Sequence, residues 1–197
     1  MQIIGITGGI GSGKSVVCEL FRIYGYPVYD ADKRAKELNE HSQVIREKLT
    51  KHFGMDLYEG NKLNKKKLAD LMFSSEKDLK IANSIIHPEI AKDFLSWAAK
   101  RKELDVVVID AAVLFEAKFN KIVDKVVTVY APYELRLKRA SERDHTDKSS
   151  IARRANSQLP EEEKIKMADF VIYNDNVHSL IAQVSELLDS LKIQSTH

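Results

Sequence analysis

Cysteine is nearly absent: Cys18 is the only one in 197 residues. That excludes an internal disulfide, and it excludes zinc ribbons and fingers, which need several thiolates or a Cys/His set at fixed spacing. A reducing compartment is the expectation. Long apolar runs are lacking too, and no stretch approaches the roughly 20 residues of a membrane span. The start, Met1-Gln2-Ile3-Ile4-Gly5, has neither a basic leader nor an apolar core, so no signal peptide, no membrane partner and a cytoplasmic location are expected. An excess of one charge is missing as well. Lys+Arg number 31 against 29 Asp+Glu, a net +2 that is too balanced to predict a nucleic-acid partner. What is present is ordinary for a globular domain, 44% apolar and 30% charged, at a length that buries a core without a staple.

Glycine is scarce but clustered. Five of the eight (Gly5, Gly8, Gly9, Gly11, Gly13) fall in the first thirteen residues, and none follows Gly60. Gln2-Ile3-Ile4-Gly5-Ile6-Thr7 before the cluster reads as a short buried strand. Val16, Val17, Leu20 and Phe21 after it recur at helical spacing until Gly25 and Pro27 stop the helix. Between them lies Gly8-Gly9-Ile10-Gly11-Ser12-Gly13-Lys14-Ser15, a G-x-x-x-x-G-K-[ST] phosphate loop in its required strand–loop–helix setting. Backbone N–H groups of such a loop surround a triphosphate at the positive end of a helix. Lys14 would reach the β- and γ-phosphates, and the Ser15 hydroxyl would ligate Mg²⁺. The motif predicts nucleotide binding without naming a reaction.

The rest of the chain alternates strands and helices. Pro27-Val28-Tyr29-Asp30, Asp105 to Asp110, Val126 to Tyr130 and Phe170 to Tyr173 read as strands. Residues 31–104 read as mostly helical, with Asn64 capping a helix through Phe73, Ser75 capping another through Ile86, and Pro88 opening a third. That is far more than a crossover between parallel strands needs, so it is an insertion with its own task. Helices follow over 132–143 and in the charged stretch to Met167. A helix carrying Leu180, Ile181, Val184, Leu187 and Leu188 closes the chain. The pattern predicts an α/β fold on a parallel sheet. By analogy with P-loop kinases, the order of the five strands is 2-3-1-4-5, with the site at their carboxyl ends.

Several side chains fall at that edge. Asp30 and Asp32 follow strand 2; either could accept the proton of an acceptor hydroxyl, and either could cap the next helix. Asp110 ends strand 3, where it could hold Mg²⁺ through water or make a strand-end hydrogen bond. Arg139 and Arg143, four apart on one helical face, could neutralise transition-state charge or pair on a solvated face with Glu142 or Asp144. The run Lys65-Lys66-Lys67 reads as surface or as site, and His87 before Pro88 is ambiguous alone. A GTPase switch is excluded. In Asn120-Lys121-Ile122-Val123-Asp124 the aspartate is one residue late for N-K-x-D, and no D-x-x-G occurs. A metabolite kinase remains, with a nucleotide-binding regulatory module as a distant alternative.

Gly5 through Ser15, Asp30-Ala31-Asp32, Ile85-Ile86-His87-Pro88, Leu114-Phe115-Glu116, Arg139 with Arg143, Gln158, and Ala168-Asp169-Phe170-Val171-Ile172-Tyr173-Asn174 together resemble the dephospho-coenzyme A kinase family, in order, from about residue 3 to 188. The resemblance implies a single P-loop kinase domain that phosphorylates the ribose 3′-hydroxyl of dephospho-CoA, with ATP and Mg²⁺ as cofactors. A kinase of another small nucleoside or cofactor alcohol is the runner-up. It implies a nucleotide-binding core (about 1–30, 105–139 and 169–197), a CoA-binding insertion (about 31–104) and a lid (about 140–168).

Asp32 would be the base, with Lys14, Arg139 and Arg143 also catalytic. The nucleotide would meet Gly9, Gly11, Ser12, Gly13, Lys14, Ser15, Val16, Arg139 and Asn174. The acceptor would meet Asp30, Asp32, Lys65, His87, Leu114, Phe115 and Glu116, and the metal Ser15 and Asp110. The implied state is a monomer or weak homo-oligomer. Three positions depart from the family pattern: Val16 stands for a threonine, Ala111-Ala112-Val113-Leu114 for Val-Pro-Leu-Leu, and Lys65 for an arginine, which grips phosphate bidentately as lysine cannot.

Overall fold

A computed structural model describes residues 1–60 and 62–194; the end of the expected core, 195–197, lies outside the described residues. The chain divides into two compact units, residues 1–29 with 101 onward, and residues 30–100.

In the first unit the strands form where β-branched runs predict them. They are β1 (Gln2–Thr7), β2 (Val28–Asp30), β5 (Val106–Asp110), β6 (Lys125–Tyr130) and β7 (Phe170–Tyr173). The sheet order is β2-β5-β1-β6-β7, with β1–β5, β1–β6 and β6–β7 parallel. Numbered among themselves, these strands run 2-3-1-4-5 as expected. Two short strands, β3 (Tyr58–Glu59) and β4 (Lys62–Leu63), intervene in the other unit. Register places Ile6 opposite Asp110 and Thr7 opposite Thr128, so β1 brings the phosphate loop to the carboxyl ends of both neighbours.

Alternation then decides what each face packs against. Ile4, Ile6, Val106 and Val108 share a core with residues of α1 (Lys14–Ile23) and α9 (Leu180–Gln194), including Phe21 and Leu187. Val107, Val108 and Ile109 have no exposed surface; burying each is worth roughly 1.5–3 kcal/mol. A smaller cluster joins α6 (Tyr133–Asp144) to α7 (Lys148–Asn156) through Leu137, Ala140 and Ile151, and Ile10 of the phosphate loop packs on it. The short α8 (Glu161–Met167) precedes β7.

The second unit is helical as expected, built from α2 (Ala31–His41), α3 (Gln43–Phe53), α4 (Lys65–Ser74) and α5 (Glu76–Ala99). Asn64 and Ser75 cap their helices by accepting from Lys67 N (3.0 Å) and Asp78 N (3.2 Å). Two features differ from the sequence reading. The β3–β4 hairpin was not anticipated, because two-residue strands leave no periodicity to read. The helices expected on either side of Pro88 are one helix of 24 residues, with Pro88 inside α5. Proline removes one backbone hydrogen bond there, but buried Ile85, Ile86, Ile90 and Phe94 hold both halves in register. The fork of Arg34 on Asp93 (2.8 and 2.9 Å) ties α2 to α5.

Candidate active site

The phosphate loop connects β1 to α1. Gly13 caps α1 at φ +87°, a left-handed conformation that costs a residue with a Cβ strain. Ser12 N donates to Gly9 O (3.0 Å), closing the loop on itself. Lys14 opens the helix and pairs with Asp110 at the end of β5; both side chains are mostly buried. Ser15 and Val16 follow in the first turn, both exposed. Four consecutive positions thus present backbone N–H groups, an ammonium and a hydroxyl around the amino end of one helix, where the partial positive charge favours an anion.

Both flanks of the loop are braced. Asn174, just past β7, donates from Nδ2 to Ser12 O (2.8 Å), and its own N–H bonds Tyr130 O (2.8 Å). Arg139 on α6 holds that asparagine, donating to Asn174 O (2.9 Å) and to Asn176 Oδ1 (2.6 Å). On the other side Ile10 N donates to Gln158 Oε1 (3.0 Å), and the adjoining Leu159 N donates to Glu116 Oε1 (2.8 Å). The residues between α7 and α8 therefore connect the loop to Glu116, which lies beyond the end of β5. Arg136, Tyr133, Gln158 and Glu161 line a cavity of about 400 Å³ in this region.

Other expected site residues sit as follows. Asp30 Oδ1 accepts from Lys33 N (2.8 Å) and so is the cap of α2; Asp32 is exposed in that helix's first turn. His87 is half-buried on α5, and Lys65 pairs with Glu40 (3.0 Å) while two-thirds exposed. Hydrogen bonding and charge from Lys65 hold the Glu40 carboxyl below its ordinary range. Phe115 is half-buried and Glu116 exposed. Leu114 has no exposed surface and packs where a side chain on Gly5 would lie. Arg143 pairs with Asp144 (2.7 Å) and is 61% exposed. Hydrogen bonds from Arg143 and then Arg154 pull the Asp144 carboxyl down to about 2.

The sequence reading assigned nothing to Arg136, Glu161 and Lys164. All three are buried, yet Glu161-Glu162-Glu163-Lys164 reads as a solvated helical face. The one available signal is Arg136 standing three residues before Arg139 on the same helix. Gln158 entered only through the family resemblance. Cys18, one turn after Lys14, is buried, and burial pushes its thiol well above the ordinary range, with the nearby Asp110 charge adding.

A strand–loop–helix that offers donors to a polyphosphate, beside a strand-end carboxylate, suits a nucleoside triphosphate and leaves the reaction open. Comparisons narrow the class. A family model described as dephospho-CoA kinase matches residues 2–179. The dephospho-CoA kinase of Porphyromonas gingivalis is 44% identical over 193 residues, 98% of this chain and 95% of that protein. Among solved structures, TT1252 from Thermus thermophilus superposes with a TM-score of 0.81 at 34% identity, covering 98% of this chain and 97% of that one. A dephospho-CoA kinase from Campylobacter jejuni superposes at 0.70 with 26% identity, covering 98% of each chain. The match runs through the phosphate loop, the braces on both its flanks and the helical unit alike, and the chain belongs to the dephospho-CoA kinase family.

Proposed function

We propose that the chain transfers the γ-phosphoryl group of ATP to the 3′-hydroxyl of the ribose of dephospho-CoA, giving coenzyme A and ADP, the last step of coenzyme A synthesis. The observation that carries this reading is the phosphate loop, with Lys14 and Asp110 at the carboxyl edge of a parallel sheet, in a chain of this family. Phosphoryl transfer through a loose transition state asks the protein for position and counter-charge more than covalent chemistry. Lys14 rests on Asp110 and would move its ammonium to the β- and γ-phosphates. Arg139, already fixed on Asn174, would flank the nucleotide, and Arg143 would add charge from the lid.

Asp32 is the proposed base. Asp30 caps α2 and Asp32 stands exposed in that helix's first turn; a base in reach of the acceptor hydroxyl helps an alcohol lose its proton at pH 7. The helical unit is proposed to bind the acceptor, with His87 and Lys65 contributing; Leu114, Phe115 and Glu116 are the acceptor contacts proposed in the first unit. The chemistry of the donor set fits Mg²⁺: a hydroxyl at Ser15, a carboxylate at Asp110, and phosphate oxygens and waters for the rest. Among the described residues no three His, Cys, Asp or Glu side chains converge on a metal, so Ser15 and Asp110 would be the chain's own share. Bound there, Mg²⁺ would offset charge growing between the phosphates. A cytoplasmic location is proposed on the single, buried cysteine, which suits a reducing compartment; a monomer or weak homo-oligomer is proposed with it.

The test is ADP production with dephospho-CoA, adenosine, pantothenate and shikimate offered separately. Dephospho-CoA should be the efficient acceptor, and Lys14→Ala should abolish turnover in a protein that circular dichroism shows to be folded, with a melting temperature lowered by the unpaired Asp110. Turnover preferring another alcohol would replace the assignment with a kinase of that alcohol.

A further inference from the structure

Arg136, Glu161 and Lys164 have no part in the reaction above, yet their side chains are 9%, 7% and 0% exposed. Lys164 Nζ lies 3.4 Å from Glu161 Oε1, and Arg136 Nη1 lies 3.9 Å from the same oxygen. One carboxylate thus serves two cations, and the cluster carries a net charge of +1. Its hydrogen bonding is incomplete: Lys164 Nζ, Arg136 Nε and Glu161 Oε2 are buried without a hydrogen-bond partner. Burying charge in this way is costly, and a purely structural cluster would gain from apolar replacements or from full pairing.

Position supplies the reason to keep it. Gly9 of the phosphate loop faces the cluster so closely that a Cβ there would collide with Arg136 Nη1 and Glu161 Oε1. The Ser12 hydroxyl, in the same loop, is likewise buried without a hydrogen-bond partner. A charge held largely out of solvent is screened less by salt than a surface charge and acts at several ångströms. We infer that Arg136, Glu161 and Lys164 form a fixed charge assembly behind the phosphate loop, whose excess +1 presets the loop for a polyanion. Glu161 keeps two like charges together at Gly9, and Lys164 supplies the excess. Lys164 is a positioning residue: it acts on the triphosphate through the loop and does not touch it. The inference rests on reading the loop as a triphosphate site.

Opposite signs make the test. Lys164→Met takes the cluster to zero and Glu161→Gln takes it to +2. Titration with ATP and, separately, with inorganic triphosphate should show weaker binding to Lys164→Met and tighter binding to Glu161→Gln, by about three- to tenfold each. The KM for dephospho-CoA should stay unchanged in both. A loss of affinity in both variants, or ATP affinity within about twofold of wild type in both, overturns the inference. If Lys164→Met does not fold, Glu161→Gln decides alone: tighter binding upholds the assembly, and unchanged or weaker binding overturns it. A wild-type protein that binds neither ATP nor triphosphate would instead remove the triphosphate reading.

Discussion

At Asp30 the carboxylate accepts the Lys33 amide and closes the first turn of α2; at Asp32, two residues on, the side chain is exposed. The pair therefore separates in its response to neutralisation. Asp32→Asn should lower kcat by about 10²–10⁴, the usual general-base range, with ATP affinity nearly unchanged. Asp30→Asn keeps an oxygen that can still cap the helix and should cost less than about 1 kcal/mol of stability, with a milder loss of kcat. Single-turnover phosphorylation of dephospho-CoA by each variant reads the difference, and a loss at Asp32 under about fivefold would take the base role away from it. Cys18 gives a second residue-scale expectation. Buried between α1 and the sheet, its thiol held high by desolvation and by the Asp110 charge, it should not react with a thiol reagent at pH 8 in the native state. It should react fully once the protein is unfolded. Rapid native labelling would mean that α1 opens readily.

The helix pair α6–α7 places the proposed lid's charges. Asp144 takes hydrogen bonds from Arg143 and Arg154, and its pKa is drawn down to about 2 from an unfolded value near 3.9. A depressed carboxyl pKa contributes stability that is complete above the unfolded value and lost as pH falls through the folded one. The melting-temperature gap between wild type and Asp144→Asn should then be constant from neutral pH to about pH 5 and shrink between roughly pH 4 and 2. High salt should narrow it throughout, since the arginines are more than half exposed. A gap that widens on acidification would show that other groups hold α6 to α7.

Legibility varies at this scale for physical reasons. The three central strands, β1, β5 and β6, are short runs rich in Val and Ile and mostly buried on both faces, and such runs have few alternatives. Caps at Asn64 and Ser75 follow from side-chain chemistry alone. Pro88 misleads because its effect is local, whereas the packing of Ile85, Ile86, Ile90 and Phe94 that overrides it is tertiary. Lys164 misleads for the same reason in reverse: α8 reads as solvated, and only its packing buries that ammonium. The phosphate loop needed no such context. The brace of Gln158 on Ile10 links residues far apart in the chain and leaves no spacing to read.

For the whole molecule, the two units are proposed to carry two tasks, and each ligand should leave its mark on one. ATP is proposed to bind residues of the first unit: the loop, Arg139 and Asn174. The acceptor is proposed to bind chiefly to residues 30–100. Binding only to the folded state stabilises by RT ln(1 + [L]/Kd), about 2.7 kcal/mol at a hundredfold excess over Kd. Amide exchange resolves where that stabilisation acts, because segments open with their own free energies. ATP should slow exchange in residues 8–17 and around 136–139 and 174–176. Dephospho-CoA should slow it in α2 and α5, around Asp32 and His87. If dephospho-CoA protected only the first unit, the helical unit would lose its proposed role as acceptor site, and the search for the base would move from Asp32 to Asp110 or Glu116. If each ligand protected its own unit and both together protected the segment of about 140–168 beyond either alone, that segment would be the lid, closing only when both substrates are in place, which is how a kinase keeps water from taking the phosphoryl group.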